Sequence, residues 1–372
     1  MTENSAPGPN TAAAENPLSG ENPEPEVRIE RHGHLGRIIL NRPRAINALT
    51  ANMVGLIRGV LDEWEHDDGV ATVLLSGAGE RGLCAGGDIV AIYRDAGNGG
   101  AESARFWADE YELNARISSY PKPYVAFMDG IVLGGGVGVS AHGRHRVVTE
   151  RTKLGMPETG IGFVPDVGGT HLLSRAPGEL GTHAAMTAGT MTGADAMLLG
   201  LADTYVDSSR LADLTAALAV KPAGEALRDF AQEAPEAPLA AARHWIDECY
   251  AHDDVETIID ALLRSGDKDA NSAAAAVQAK SPTALKVTLQ SLRRARELPD
   301  LESVLVQEYR VSLHALAAPD FAEGVRAQVI DKDRNPRWQP ATLPEVRRSD
   351  VDAYFDPVRG QADLFTTSQE QR

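Results

Sequence analysis

Two glycine-rich segments and one kinked acidic loop hold the residue types best suited to chemistry in this chain. GLCAGGD at 82–88 has glycines at 82, 86 and 87, where the backbone can approach a ligand closely. It ends on Asp88, a good N-cap for a helix beginning at Ile89. A turn that feeds a helix presents N–H groups without partners, and these suit an oxygen that gains negative charge. GGG at 134–136, soon after YVAFMDG, is a second such source. Two sources converging on one carbonyl oxygen make a two-donor oxyanion hole, although either segment alone also reads as a tight structural turn.

The acidic loop is MPETGIGFVPDVGG at 156–169, carrying Glu158 and Asp166. Pro157, Gly160, Gly162 and Pro165 prevent a regular helix, so the segment reads as a shaped loop lined by Phe163 and Val164. Burying one acid beside apolar groups, or beside the other acid, raises its pKa and suits general acid–base work. Eight residues through a kinked loop fix no distance, so surface caps are an equal reading of these two acids. Taken together, polarising N–H groups and a carboxylate favour acyl transfer, hydrolysis or enolate chemistry.

Other chemistries are poorly served. There is no G-x-S-x-G elbow, and neither glycine cluster fits a dinucleotide fingerprint or a P-loop. His32 and His34 lack a third ligand, so no metal site is expected. His142, His145, His171 and His183 read as packing or surface residues. Cys84 has no His placed beside it by the sequence and reads as packing behind the first glycine turn.

The elements that must position these residues alternate between strand and helix. Val27 and Ile29 alternate, a Gly-containing turn follows, and Ile38–Leu40 form a short strand before Pro43. Thr50 to about Glu65 has helical spacing, with Met53, Leu56, Ile57, Val60 and Leu61 on one face. Strands are predicted at 70–75, at 124–130 and in RHRVVTE. From about 171 the chain becomes predominantly helical. The βα rhythm predicts an α/β layered domain. The expected organisation is a mobile tail over 1–25, a catalytic core over 26–220, a helical region over 221–360 and a flexible terminus over 361–372. The boundary near 210–225 is soft.

Composition limits the partners. The 372 residues suffice for a substantial core, and 36 Lys plus Arg against 53 Asp plus Glu give a net charge of −17. Such a chain is poorly suited to nucleic acid or to an anionic membrane, but a local pocket can still take an anionic small molecule. Cys84 and Cys249 are expected to be reduced. No apolar run approaches the ~20 residues that span a bilayer, and the start shows no basic segment followed by an apolar one. Cytoplasm is therefore the expected compartment.

NRPRAINAL, GLCAGGDI, KPYVAFMDGIVLGGGVGVSAHGRHRV and MPETGIGFVPDVGG together resemble the crotonase (enoyl-CoA hydratase/isomerase) superfamily. With SPTALKVTL, VLVQEYR and DFAEGVRAQVIDKDRNPRW, the resemblance is to its 3-hydroxyisobutyryl-CoA hydrolase branch and runs from about 26 to 360. It implies a spiral of ββα units with C-terminal helices covering an acyl-CoA pocket, and the backbone N–H groups of Gly87 and Gly135 as the oxyanion hole. It also implies Glu110 as a substrate contact and Glu158 and Asp166 as the functional acids. Glu158 is then the nucleophile or the base for water, with Asp166 orienting it, the substrate hydroxyl or the water. Arg42 and Arg44 are candidate contacts to the CoA phosphates. No cofactor is implied beyond coenzyme A as part of the substrate, and a homo-oligomer, a trimer or a smaller assembly, is a family trait. Enoyl-CoA hydratases of the superfamily carry a catalytic glutamate where this chain has Gly138, and usually glycine where it has Asp166. The implied reaction is hydrolysis of a short β-hydroxyacyl-CoA in valine breakdown; hydration or isomerisation of an enoyl-CoA and non-catalytic acyl-CoA binding are the alternatives.

Overall fold

The computed structural model describes Met1 and residues 24–365, so most of the expected N-terminal tail and residues 366–372 lie outside the described residues. Just inside that limit Leu364 is buried, and Arg310 Nε donates to Asp363 at 2.8 Å.

β1 (Val27–His32) and β2 (Leu35–Leu40) form an antiparallel hairpin turned at Gly33, whose φ of 59° lies in the left-handed region. α1 (Ala51–Glu65) follows, capped by Thr50 Oγ1, which accepts from Met53 N at 3.1 Å. Its inner face is Met53, Val54, Ile57, Val60, Leu61 and Trp64, while Leu56 is exposed. The stripe is rotated from the expected one because Trp64 packs over the sheet. A Cβ on Gly36 would stand 2.5 Å from its ring.

The chain then winds through β3 (Thr72–Gly77), β4 (Gly82–Cys84), α2 (Ile89–Ala96), α3 (Ala101–Ser118), β5 (Tyr124–Met128) and β6 (Ile131–Leu133). It continues through α4 (Gly135–Ala141), β7 (His145–Val148), β8 (Lys153–Gly155), α5 (Gly169–Ser174) and β9 (Thr204–Tyr205). The larger sheet has the order β1-β2-β3-β5-β7-β9 and is parallel after the first pair. The smaller sheet is β4-β6-β8, all parallel. Each turn of the spiral gives one strand to the large sheet, the next to the small sheet, and then crosses back. This is the crotonase spiral of ββα units with a C-terminal helical cap.

Strand alternation sorts the side chains of the large sheet into two layers. Val73, Leu75, Ala126 and Met128 face the main core, whereas Leu74, Val125, Phe127 and Val147 face helices Leu211–Leu218 and Ala223–Phe230. Those two helices flank residue 220 yet share one apolar cluster, so no separate core begins at the soft boundary. α4 has three glycines but is fully buried, which replaces the helix propensity its sequence lacks with packing.

The small sheet organises the site. Its three parallel strands end side by side, with Cys84 beside Val132 and Leu133 beside Gly155. Beyond those ends come the 85–88 turn, the Gly134–Gly135 turn and Met156–Pro157–Glu158. A sequence reading makes GLCAGGD one long turn, but its first three residues are strand, because Leu83 and Cys84 are fully buried against β6.

Candidate active site

The two glycine turns meet. A Cβ on Gly86 would lie 3.8 Å from the Gly135 nitrogen, and one on Gly135 would lie 3.3 Å from the Gly87 nitrogen. Among the described residues, neither the Gly87 nor the Gly135 N–H donates to a backbone carbonyl. Both turns border a cavity of about 210 Å³ that Glu110, Glu158 and Asp166 also line, with Trp107, Phe163 and Val329 among its apolar walls. Trp107 and Phe163 stack with centroids 5.3 Å apart. Val164 points elsewhere, into a cluster with Val287, Val311 and Val346, so only Phe163 supplies the expected apolar lining.

Pro157 caps a short 3-10 turn over Glu158–Ile161 that carries the Glu158 carboxyl inward. One oxygen is so close to the second glycine turn that a Cβ on Gly134 would stand 2.7 Å from Glu158 Oε1. The other, Oε2, is buried without a hydrogen-bond partner among the described residues. Burial and the nearby Asp166 charge push this carboxyl well above the usual range. Glu110, on α3, is also buried with an unpartnered Oε1, and the same two causes raise it. An unpaired buried acceptor is costly unless something else occupies the space, so both acids face an opening suited to a polar ligand.

Asp166 has more support. Tyr111 O–H donates to its Oδ2 at 2.6 Å and stands 2.8 Å from Ser312 Oγ. Burial pushes Asp166 up to about 7, while the Tyr111 hydrogen bond pulls it down. The following residue, Val167, has a φ of 54°. A β-branched residue in that region costs about 1–3 kcal/mol and persists only where neighbours fix it. His142 lies 2.8 Å from the Val167 carbonyl, and burial holds that imidazole down to about 4, so its neutral ring N–H donates. Glu308 accepts from Gly168 N and Thr170 N at 2.6 and 2.9 Å. Tyr111, Ser312 and Glu308 are absent from the sequence reading, since α3 and helix Leu301–Ala317 meet only in the folded chain. One clue to Tyr111 lies in the sequence, because it is the neighbour of Glu110.

Arg42 and Arg44 do not line this cavity. Arg42 pairs with Asp88 at 3.0 Å and Glu26 at 3.3 Å and donates to the Ala48 carbonyl. Arg44 is exposed, and its carbonyl accepts from Arg81. Asp88 caps α2 as expected, accepting from Ala91 N. It also borders a neighbouring opening that shares Ile92 and Phe106 with the cavity of the three acids. Cys84 is buried, its thiol is pushed up to about 12, and Sγ lies 3.2 Å from the Asn47 carbonyl, so it packs behind the glycine turn. Cys249 is also free and buried. Among the described residues no group of three His, Cys, Asp or Glu is arranged to hold a metal ion, and no helix is long and apolar enough to cross a membrane.

A ββα spiral whose parallel strand ends gather two glycine turns and buried acids defines an enzyme that acts on acyl-CoA thioesters in the crotonase manner. The chain belongs to the enoyl-CoA hydratase/isomerase family, whose model matches residues 35–355. It is 40% identical to the mitochondrial 3-hydroxyisobutyryl-CoA hydrolase of Danio rerio over 90% of each chain. Among solved structures, a carnitinyl-CoA dehydratase from Mycobacterium thermoresistibile is 55% identical with a TM-score of 0.88, covering 90% of this chain and 98% of that one. An enoyl-CoA hydratase from Rhodobacter sphaeroides is 40% identical with a TM-score of 0.85 over the same shares. The expected cytoplasmic location is corrected by the relatives of known compartment, which are mitochondrial in Danio rerio, Rattus norvegicus and Homo sapiens. An apolar run near the start is a poor guide to this compartment, since mitochondrial leaders are amphipathic and Arg-rich and have no long apolar run.

Proposed function

We propose that the protein hydrolyses the thioester of 3-hydroxyisobutyryl-CoA or a close short β-hydroxyacyl-CoA, a reaction of valine breakdown. Water and the thioester give the hydroxy acid and the free CoA thiol. The Gly87 and Gly135 N–H groups stabilise the oxyanion, Glu158 serves as nucleophile or as base for water, and Asp166 orients its partners and moves a proton. Glu110 contacts the substrate, and Arg42, paired with Asp88 at the neighbouring opening, is a candidate contact to the CoA phosphates.

The observation that carries this reading is the environment of residue 138. A Cβ there would stand 2.7 Å from Val167 Cβ and 2.9 Å from Asn114 Nδ2. The acid that a hydratase of this superfamily carries at that position has no room, and Asp166 supplies the second carboxyl from another direction. Hydration of an enoyl-CoA, or the reverse loss of water from a hydroxyacyl-CoA, is the second reading, and it is favoured by the names of the two solved relatives at 55% and 40% identity. One assay separates the two. Thiol release from β-hydroxyacyl-CoA esters, followed with DTNB beside the enoyl absorbance of the matching crotonyl and methacrylyl esters, is expected to show fast release and little enoyl turnover. Rapid enoyl turnover without thiol release would establish the second reading.

A further inference from the structure

Helix Leu301–Ala317 reaches the Asp166 segment with two buried residues one turn apart, Glu308 and Ser312. Ser312 meets Asp166 through the Tyr111 hydroxyl. Glu308 meets it through the main chain, where its Oε2 accepts from Gly168 N at 2.6 Å and its Oε1 from Thr170 N at 2.9 Å and Thr170 Oγ1 at 2.5 Å. The residues between, Val167 and Gly168, have φ of 54° and 77°. A Cβ on Gly168 would lie 2.5 Å from the His142 ring. The segment thus has an unfavourable backbone at Val167, and His142 on the Val167 carbonyl and Glu308 on the Gly168 and Thr170 amides hold it there.

We propose that Glu308 is a positioning residue for Asp166, holding the 166–170 backbone in the left-handed bend that turns the Asp166 carboxyl into the catalytic cavity. This rests on the reading that Asp166 acts in catalysis. A neutral side chain could cap one amide, but three donors converging on both oxygens call for a carboxylate. Placing a second acid close behind Asp166 is otherwise unfavourable. Burial pushes Glu308 up to about 8, its three donors pull it back, and the Asp166 charge adds to the rise. The other ionisable groups that feel the Glu308 charge are Glu158 and Tyr111, both raised by it.

The test is a double-mutant cycle of Glu308→Gln and Asp166→Asn, with thermal melting and free-CoA affinity measured alongside. A carboxamide must turn its NH2 toward one of the amides it should accept from, so the bend relaxes. The expected result for Glu308→Gln is a kcat about 10- to 100-fold lower, with KM within about threefold and unchanged CoA affinity. In the Asp166→Asn background the same change should cost less than about twofold, because a positioning residue has nothing left to position. An unchanged kcat, or an equal loss in both backgrounds, overturns the proposal. If Glu308→Gln does not fold, Thr170→Val, which removes one donor, takes its place. A loss of about 3- to 10-fold that vanishes beside Asp166→Asn is then expected, and no loss overturns the proposal. Full activity in Asp166→Asn alone would overturn the role of Asp166 itself, and this proposal with it. An inactive Asp166→Asn beside a normal Glu308→Gln would overturn this proposal only.

Discussion

Gly138 and Val167 exclude each other's growth: a Cβ on residue 138 would stand 2.7 Å from Val167 Cβ, closer than side-chain carbons pack. The acid of a hydratase therefore cannot be restored by one substitution. Gly138→Glu is expected to lower stability by several kcal/mol, since it overpacks a buried helix and buries a charge without a partner. It should gain no enoyl-CoA hydration. A melting curve and the enoyl absorbance check both points, and hydration appearing in a folded Gly138→Glu protein would count against the steric argument.

The same reasoning at Gly134 gives a kinetic prediction. The obstacle to a side chain there is the far end of Glu158, which is flexible and will move. Gly134 also has a φ of 49°, so any substitution is strained. Gly134→Ala is expected to fold with a modest loss of stability while kcat falls about 100-fold, because the displaced group is the carboxyl that must be aimed. Steady-state thiol release measures it.

Glu158→Gln keeps the shape of the site and removes the basic oxygen. Turnover is expected to fall about 10²- to 10⁴-fold with the melting temperature preserved or raised. In the parent protein, a single turnover in ¹⁸O-labelled water followed by mass analysis of the 156–169 peptide separates the two routes. Label in Glu158 marks it as nucleophile; without label, hydroxylamine trapping of a Glu158 acyl anhydride decides, because water attacking the acyl carbon of that anhydride leaves Glu158 unlabelled.

Much of this site was legible in the sequence because its parts are local. The glycines at 86, 87, 134 and 135, the cap at Asp88 and the acids at 158 and 166 each announce themselves by backbone demands or by charge within a few residues. What sequence could not supply is the register that joins them. That comes from β4, β6 and β8, which have three residues each, too short to show a period. Tyr111, Ser312 and Glu308 were hidden for the same reason: on helices of mixed composition a buried hydroxyl or acid looks like any solvated one until a distant loop is laid against it. Arg42 shows how little charge alone says. The sequence offers it to CoA phosphates, and what the fold adds is its ion pairs with Glu26 and Asp88.

Asp166 is expected to lower stability at neutral pH. Its native pKa of about 7 lies above the unfolded value of ~3.9, so the native state holds the proton more tightly between them. The stabilisation is complete below about pH 4 and is lost as pH rises through about 7. Asp166→Asn, which can still accept from Tyr111, is therefore expected to be more stable than the parent at pH 8 by roughly 1–4 kcal/mol, with the difference closing toward pH 4. Denaturant titrations at the two pH values test this, and a difference that widens at low pH would contradict it.

Tyr111 is expected to set the acid side of the activity profile. Its hydroxyl donates to Asp166 and so favours the ionised carboxylate, opposing the burial that raises it. The acids that also face Asp166, namely Glu158, Glu110 and Glu308, stay in place when the hydroxyl is removed. Tyr111→Phe should then move the rising acid limb of kcat from near pH 7 to roughly pH 8, the effect of losing one hydrogen bond to a charged group. The apparent midpoint belongs to the Glu158–Asp166 pair rather than to either acid. Because a phenyl ring fills the same volume, the plateau rate at high pH should stay within a few-fold of the parent. A lower plateau with an unmoved midpoint would instead mean that Tyr111 holds the geometry of Asp166 and leaves its proton unaffected.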